Sequence, residues 1–191
     1  RRAINEMSAT SCYSAENNLD ALNFYLDPKR DESAEYMVAH IIRERLGGDT
    51  DVRVTKGSKT GGGMETYDVE YVIPMDNRRG YKTVRVEVKS CLCDKTYYDN
   101  RGEFQFKFQA IKPNCFDYIF FVQCHPTKGI VCKWTTRKHI MDYISSRNIS
   151  LRTRNNKDGD EKVIGYKVTV DVSLEHDQKF PLYDIEDFPQ P

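Results

Sequence analysis

Apolar positions recur along this chain with two periods, and the switches between them mark its elements. In residues 31–49, DESAEYMVAHIIRERLGGD, the apolar set Ala34, Met37, Val38, Ile41, Ile42 and Leu46 repeats at helical spacing. Asp31, Glu32 and Ser33 open that segment and Gly47-Gly48 stop it, so it is the clearest predicted helix. DVRVT (51–55) reads as a strand. ETYDVEYVI (65–73) sets Tyr67, Val69, Tyr71 and Ile73 against Asp68, Glu70 and Val72, a strand with one polar edge. PMDNRRG (74–80) is a turn, and the next strand, 81–91, contains TVRVEVKSC, where Val84, Val86 and Val88 alternate with Glu87 and Lys89. Two such strands around a short turn predict a hairpin.

Further along, EFQFKFQAIK (103–112) alternates aromatics like a strand, yet its FQAIK portion also suits a helix start. FDYIFFVQC (116–124) is almost wholly apolar, the mark of a strand covered on both faces. GIVCKW (129–134) makes another strand, after which Thr135 or Thr136 caps a helix running to about Ser146. YKVTVDV (166–172) is the last predicted strand, followed by an acidic, Pro-containing tail over 173–191. Residues 1–30 are polar, with one modest helix near Leu19, Leu22, Phe24 and Leu26. There is no internal repeat and no second domain in the pattern. The expectation is a single domain over 1–191, with its core at about 31–146. Its fold class is α/β or α+β, a mixed central sheet flanked by helices.

Composition narrows the partners. With 191 residues, 39% hydrophobic and 30% charged, the chain can bury a proper core under a polar surface. No apolar run approaches the ~20 residues of a membrane helix, so the expected setting is soluble and intracellular, cytoplasmic or nucleoid-associated, with no membrane partner. The chain opens on Arg1-Arg2-Ala3, without Met or an apolar signal region, as a trimmed or partial chain would. Six cysteines scattered among strand-like stretches read as reduced thiols rather than a disulfide framework. The formal net charge is zero but unevenly spread. Residues 77–112 carry nine Lys/Arg against four Asp/Glu, 133–157 seven against one, and 171–187 one against six. A basic middle of this kind suits a polyanion despite the neutral total. The loop GSKTGGG (57–63) lacks the Gly-Lys-Ser/Thr of a phosphate-binding loop, which argues against a nucleotide site.

The chemistry centres on Glu87 and Lys89. Two apart on a strand, they share a face, with roots about 7 Å apart. Antiparallel pairing of 65–73 with 82–91 brings Asp68 near Glu87. Two carboxylates without a partner repel, and a hard divalent cation between them is the usual remedy. A lysine beside such an ion suits phosphodiester hydrolysis. An ordinary solvated Glu–Lys pair on a sheet face is the alternative.

Asp68 on one hairpin strand, then Glu-x-Lys in the "VEVK" of the next, resembles the PD-(D/E)XK nuclease superfamily, the restriction-endonuclease-like fold. The likeness runs from about Asp31 to His125 and takes in the helix, the glycine loop, the hairpin and the apolar strand; Tyr67 stands where the superfamily name has Pro. The resemblance implies that Asp68 and Glu87 bind Mg²⁺, for which Mn²⁺ can substitute, with help from the Val88 carbonyl. It implies that Lys89 positions and activates the attacking water, and that Glu35 on the first helix orients water or a second metal. Gln109 falls where many members carry a further polar residue facing the site. A Glu in a helix's first turn also favours the helix dipole regardless of function.

Arg78, Arg79, Lys107, Lys112, Arg137, Lys138, Arg152 and Arg154 are the candidate phosphate contacts on double-stranded DNA, with Tyr97, Tyr98 and Trp134 as stackers. The expected activity is that of a small type II restriction endonuclease acting as a homodimer, since one site cuts one strand. The rivals are a structure- or lesion-directed nuclease of the same superfamily, and a non-catalytic nucleic-acid-binding module. Cys91-x-Cys93 with Cys115, Cys124 and His125 offers a weaker zinc reading, because its spacing matches no common knuckle. A Cys nucleophile with His125 or His139 is weaker still, having no orienting motif.

Overall fold

A computed structural model describes residues 23–24, 26–47, 50–55, 67–75, 80–92, 105–112, 115–125, 129–147, 151–155, 161–171 and 181–189. For 92, 105, 107, 151–155 and 161–171 the description is of the backbone alone. Among these residues no helix is long and apolar enough to cross a membrane.

Helix α1, Arg30–Leu46, buries Ala34, Val38 and Ile42 of its predicted stripe, with Ala39 beside them. Its first turn carries Asp31 and Glu32 and its last turn Arg43 and Arg45, the arrangement that suits the helix dipole. Strands β1 (Val52–Val54), β2 (Val69–Pro74) and β3 (Tyr81–Leu92) form an antiparallel meander. The predicted hairpin is β2–β3, in the register Val69 to Val86 and Tyr71 to Val84.

The chain next forms β4 (Gln105–Ile111), then returns as β5 (Tyr118–His125) parallel to β3. EFQFKFQAIK is therefore a strand, but a broken one. Its pairing slips between Phe108 and Ile111, and Ala110 sits there at φ 58°. A non-glycine residue in the left-handed region marks a strained bulge that redirects the chain.

Strand β6 (Gly129–Thr136) pairs antiparallel with β5 and runs directly into α2, Arg137–Ser146. Thr136 is the cap, its side chain accepting from the His139 N–H at 3.3 Å. Strands β7 (Leu151–Asn155) and β8 (Glu161–Asp171) follow, and the short β9 (Tyr183–Asp184) leads into a 3-10 turn, Ile185–Asp187. The main sheet has the order β1-β2-β3-β5-β6-β9 and is mixed; β4-β8-β7 form a separate antiparallel sheet.

Two apolar clusters glue three layers. On one face of the main sheet, Val84, Val86, Val88, Phe120 and Val122 meet Ala34, Val38 and Ile42 of α1. On the other, Ile119 and Phe121 meet Phe106, Phe108 and Ile111 of β4 and Ile140, Tyr143 and Ile144 of α2. Strand β5 is thus covered on both sides, as its unbroken apolar run predicts. The architecture is α+β, a six-stranded mixed sheet flanked by two helices.

Three expectations change. Residues 151–155, where the pattern predicts no element, form a strand, because β8 starts at Glu161 and offers them a partner. The stretch within the acidic tail does structural work: Tyr183–Asp184 extends the sheet, and Phe188 is buried among Tyr71, Tyr118, Phe120 and Trp134. Trp134 is no base stacker. It is 5% exposed, its ring packs on Tyr183, and its indole N–H donates to the Asp184 carbonyl at 2.7 Å.

Candidate active site

The β2–β3 register ends at Val69 opposite Val86, and Asp68 directly precedes it, close enough to Glu87 to act on its charge. The Asp68 N–H donates to the Val86 carbonyl at 2.9 Å, one residue out of that register, so Asp68 and Val69 both lie opposite Val86 and the regular ladder ends here. There the side chain replaces the backbone: the Val88 N–H donates to Asp68 Oδ2 at 2.7 Å. Asp68 is further pinned by its carbonyl, which accepts the Thr55 N–H at 2.8 Å. Its carboxylate is therefore held at the edge of the β2–β3 ladder beside Glu87 and Lys89.

Glu87 and Lys89 are no solvated pair. Glu87 is 5% exposed, and the Lys89 ammonium is ion-paired with its Oε1. Val84, Val86 and Val88 fill the core on the α1 side, while Glu87 and Lys89 lie beside Ile119 and Phe121 of β5 under the second layer. Such a pair is costly to bury and stabilises little by itself, which makes a chemical role the better account of its presence.

Helix α1 closes the other side. Glu35 is half-buried, and Asp31 accepts a hydrogen bond at 2.8 Å from the hydroxyl of Ser90, the residue after Lys89. Asp31 and Ser90 were not singled out by the sequence. Asp31 reads there as an ordinary helix-start acid, and only the packing of α1 on β3 couples it to the site.

The charges respond to one another. Burial is the main cause that raises the Glu35 carboxyl to about 7, reinforced by Asp68, Asp31 and Glu32 against the opposing pull of Lys89. Burial likewise lifts Asp68, against Lys89 and the Val88 N–H. Glu87 is raised by burial and by Asp68, against Lys89. For Lys89 burial opposes the charge, yet Glu87, Asp68 and Asp31 together outweigh it and raise its pKa, so it stays an ammonium. The net effect is a partly dehydrated acidic cluster around one lysine, an environment that favours an added cation.

That donor set is all oxygen. Among the described residues no three His, Cys, Asp or Glu side chains stand close enough to cage an ion by themselves. An ion here would rest on Asp68 and Glu87 and complete its shell with carbonyl and water oxygens. Those are the terms on which Mg²⁺ is normally held.

The remaining predicted residues divide. Lys112 lies near enough to Glu87 to lower its pKa, and it follows directly on the Ala110 bulge of β4. Gln109, in the same bulge, is exposed on that strand. Arg137 and Lys138 are exposed at the start of α2; the Arg137 N–H donates to the Asp117 carbonyl, and Lys138 pairs with Asp142 one turn on. Arg78, Arg79, Tyr97 and Tyr98 lie outside the described residues, as do the side chains of Lys107, Arg152 and Arg154.

The thiol readings lose their footing. The register puts Cys91 beside Gln123 and Leu92 beside Cys124, so Cys91 and Cys124 project from opposite faces of the sheet. Burial pushes the Cys124 and Cys132 thiols up to about 12, which suits inert core residues and not nucleophiles. Cys93 is outside the described residues.

No family model matches the chain, and no curated protein matches it. Among solved structures, D212, a nuclease from a fusselovirus, is similar at 15% identity with a TM-score of 0.41, over 85% of this chain and 91% of that one.

Proposed function

We propose that this chain is a metal-dependent DNA endonuclease of the PD-(D/E)XK kind, built on a restriction-endonuclease-like core. The observation that carries the reading is the buried Glu87–Lys89 pair with Asp68 fixed beside it by the Val88 N–H. Mg²⁺ is the cofactor, with Mn²⁺ able to substitute, and when bound it would supply Lewis-acid stabilisation of charge on the phosphoryl oxygens. Asp68 and Glu87, with the Val88 carbonyl, would hold it. Glu35 and Asp31 complete the acidic wall on the helix side and orient water. Lys89 places its ammonium toward the phosphoryl group and the attacking water, on the face it shares with Glu87. The reaction adds water to phosphorus and breaks one P–O bond, and the departing oxygen leaves with a proton.

Double-stranded DNA is the substrate, cut sequence-specifically in the type II restriction manner. Cutting both strands calls for a homodimer, because one such site attacks one strand. The test is supercoiled plasmid incubated with Mg²⁺ and, separately, with EDTA. Discrete linear fragments in Mg²⁺ alone are the expected result. Nicked circles alone favour a structure- or lesion-directed enzyme. Binding without any cutting in Mg²⁺ or Mn²⁺ overturns the enzymatic reading.

A further inference from the structure

One row of side chains runs outward from the candidate site. Residues two apart on a strand share a face, so Lys89, Glu87, Arg85, Thr83 and Tyr81 line up along β3. The register places Glu70, Val72 and Pro74 of β2 beside the outer three. The row changes character abruptly: Glu87 is buried, whereas Arg85, Thr83 and Tyr81 are exposed, Tyr81 to 78%. Arg85 is the first side chain of the row beyond the covering layer.

Arg85 is also held in place. Its N–H donates to Asp117 Oδ2 at 3.0 Å, and its carbonyl accepts the Asp117 N–H at 2.8 Å. Its guanidinium lies over the Tyr67 ring, 5.2 Å from the centroid. Tyr67 directly precedes Asp68, its carbonyl accepts from the Thr55 hydroxyl, and its own hydroxyl donates to Glu70 Oε2 at 2.8 Å. Glu70 is the acid across from Arg85 in the register, and this bond occupies one of its oxygens. An exposed arginine normally loses considerable rotamer freedom when it binds; one already laid on an aromatic ring loses less. A stacked guanidinium still offers its N–H edge to a phosphate.

We propose that Arg85 binds the phosphate next to the scissile one, and that the exposed row from Arg85 to Tyr81 is the track along which that strand leaves the site. The ligand is the phosphodiester backbone of one nucleic-acid strand. Arg85 stands about 7 Å from Glu87 along β3, a separation comparable to one nucleotide step in an extended strand. The inference rests on the nuclease reading and adds to it a subsite and a direction.

The test is a cycle between protein and substrate. After the cleaved bond is mapped, single neutral methylphosphonates replace the phosphate on either side of it. Binding is measured in Ca²⁺ and single-turnover cleavage in Mg²⁺, for wild type and for Arg85→Ala and Arg85→Gln. Loss of Arg85 should weaken binding to the unmodified substrate about tenfold or more, the scale of one hydrogen bond to a charged group. It should also reduce the slope of log affinity against log salt by about one. At one of the two positions, the methylphosphonate should weaken wild type by a similar factor and leave both variants unaffected. Penalties that simply add at both positions overturn the Arg85 subsite while the nuclease reading stands. A wild type that fails to cut in Mg²⁺ overturns both.

Discussion

Asp68 takes the place of a backbone carbonyl in the β2–β3 ladder, accepting the Val88 N–H through Oδ2 at 2.7 Å. The arrangement fixes one carboxylate beside the Glu87–Lys89 pair without relying on a long, mobile side chain. It also means that Asp68 and the strand carrying Glu87 cannot shift independently of each other.

Neutralising either carboxylate should stop the chemistry and spare the fold. Asp68→Asn keeps an oxygen for the Val88 N–H and removes the charge; Glu87→Gln is the partner variant. Each should lower Mg²⁺-dependent cleavage by at least about 100-fold, the scale of losing a group essential to the chemical step. Circular dichroism checks that the fold remains, and cleavage near the wild-type rate by both variants would remove them from the site.

Lys89→Ala should separate binding from hydrolysis. DNA affinity in Ca²⁺ should stay close to wild type, since many phosphate contacts share it, while single-turnover cleavage should fall about 100-fold or more. Lys89→Arg should not restore the rate, because a broad planar guanidinium does not fit a position shaped for a compact ammonium. An unimpaired Lys89→Ala enzyme would reduce the Glu87–Lys89 pair to a structural feature.

The Glu35 carboxyl gives a stability signature that needs no substrate. Its folded pKa of about 7 lies above the ordinary 4.5, so the folded state holds a proton that the unfolded state has released. That contribution is complete below the unfolded value and is lost as pH rises through the folded one. In EDTA, the melting temperature of Glu35→Gln relative to wild type should therefore rise between about pH 4.5 and about pH 7.5. A difference that stays constant over this window would mean that Glu35 titrates like an exposed acid.

Phe188 should matter to folding and not to catalysis. It is 2% exposed and meets four rings, Tyr71, Tyr118, Phe120 and Trp134. Phe188→Ala should destabilise the protein by about 3–5 kcal/mol, the usual range for a buried phenylalanine. At a temperature where the variant remains folded, single-turnover cleavage should match wild type. Urea denaturation beside the cleavage assay measures both, and a loss below about 1 kcal/mol would mean that the residue is not seated in the core.

Local pattern determined much of this protein. The helix 31–46, the β2–β3 hairpin, the doubly covered strand at 118–125 and the Thr136 cap are all visible as periodicity and turn chemistry, because each is decided by neighbours within a few residues. The same alternation was enough to bring Asp68, Glu87 and Lys89 together, since a hairpin is a local structure and its register follows from its apolar face.

What lies outside that range was decided by contacts distant in sequence. Whether Glu87 and Lys89 face water or the interior depends on the layer of β4 and α2 that covers them, and the strand's own alternation is identical in both cases. Asp31 joins the site only because α1 packs with its first turn against Ser90, 59 residues away. Residues 151–155 become a strand because β8 is there to pair with them. Phe188 enters the core because β9 docks on β6; the surrounding acids, which dominate the local composition, remain largely outside. In each case a short polar or ambiguous segment has little conformational preference of its own, and the burial or pairing that fixes it exists only once the rest of the chain has folded.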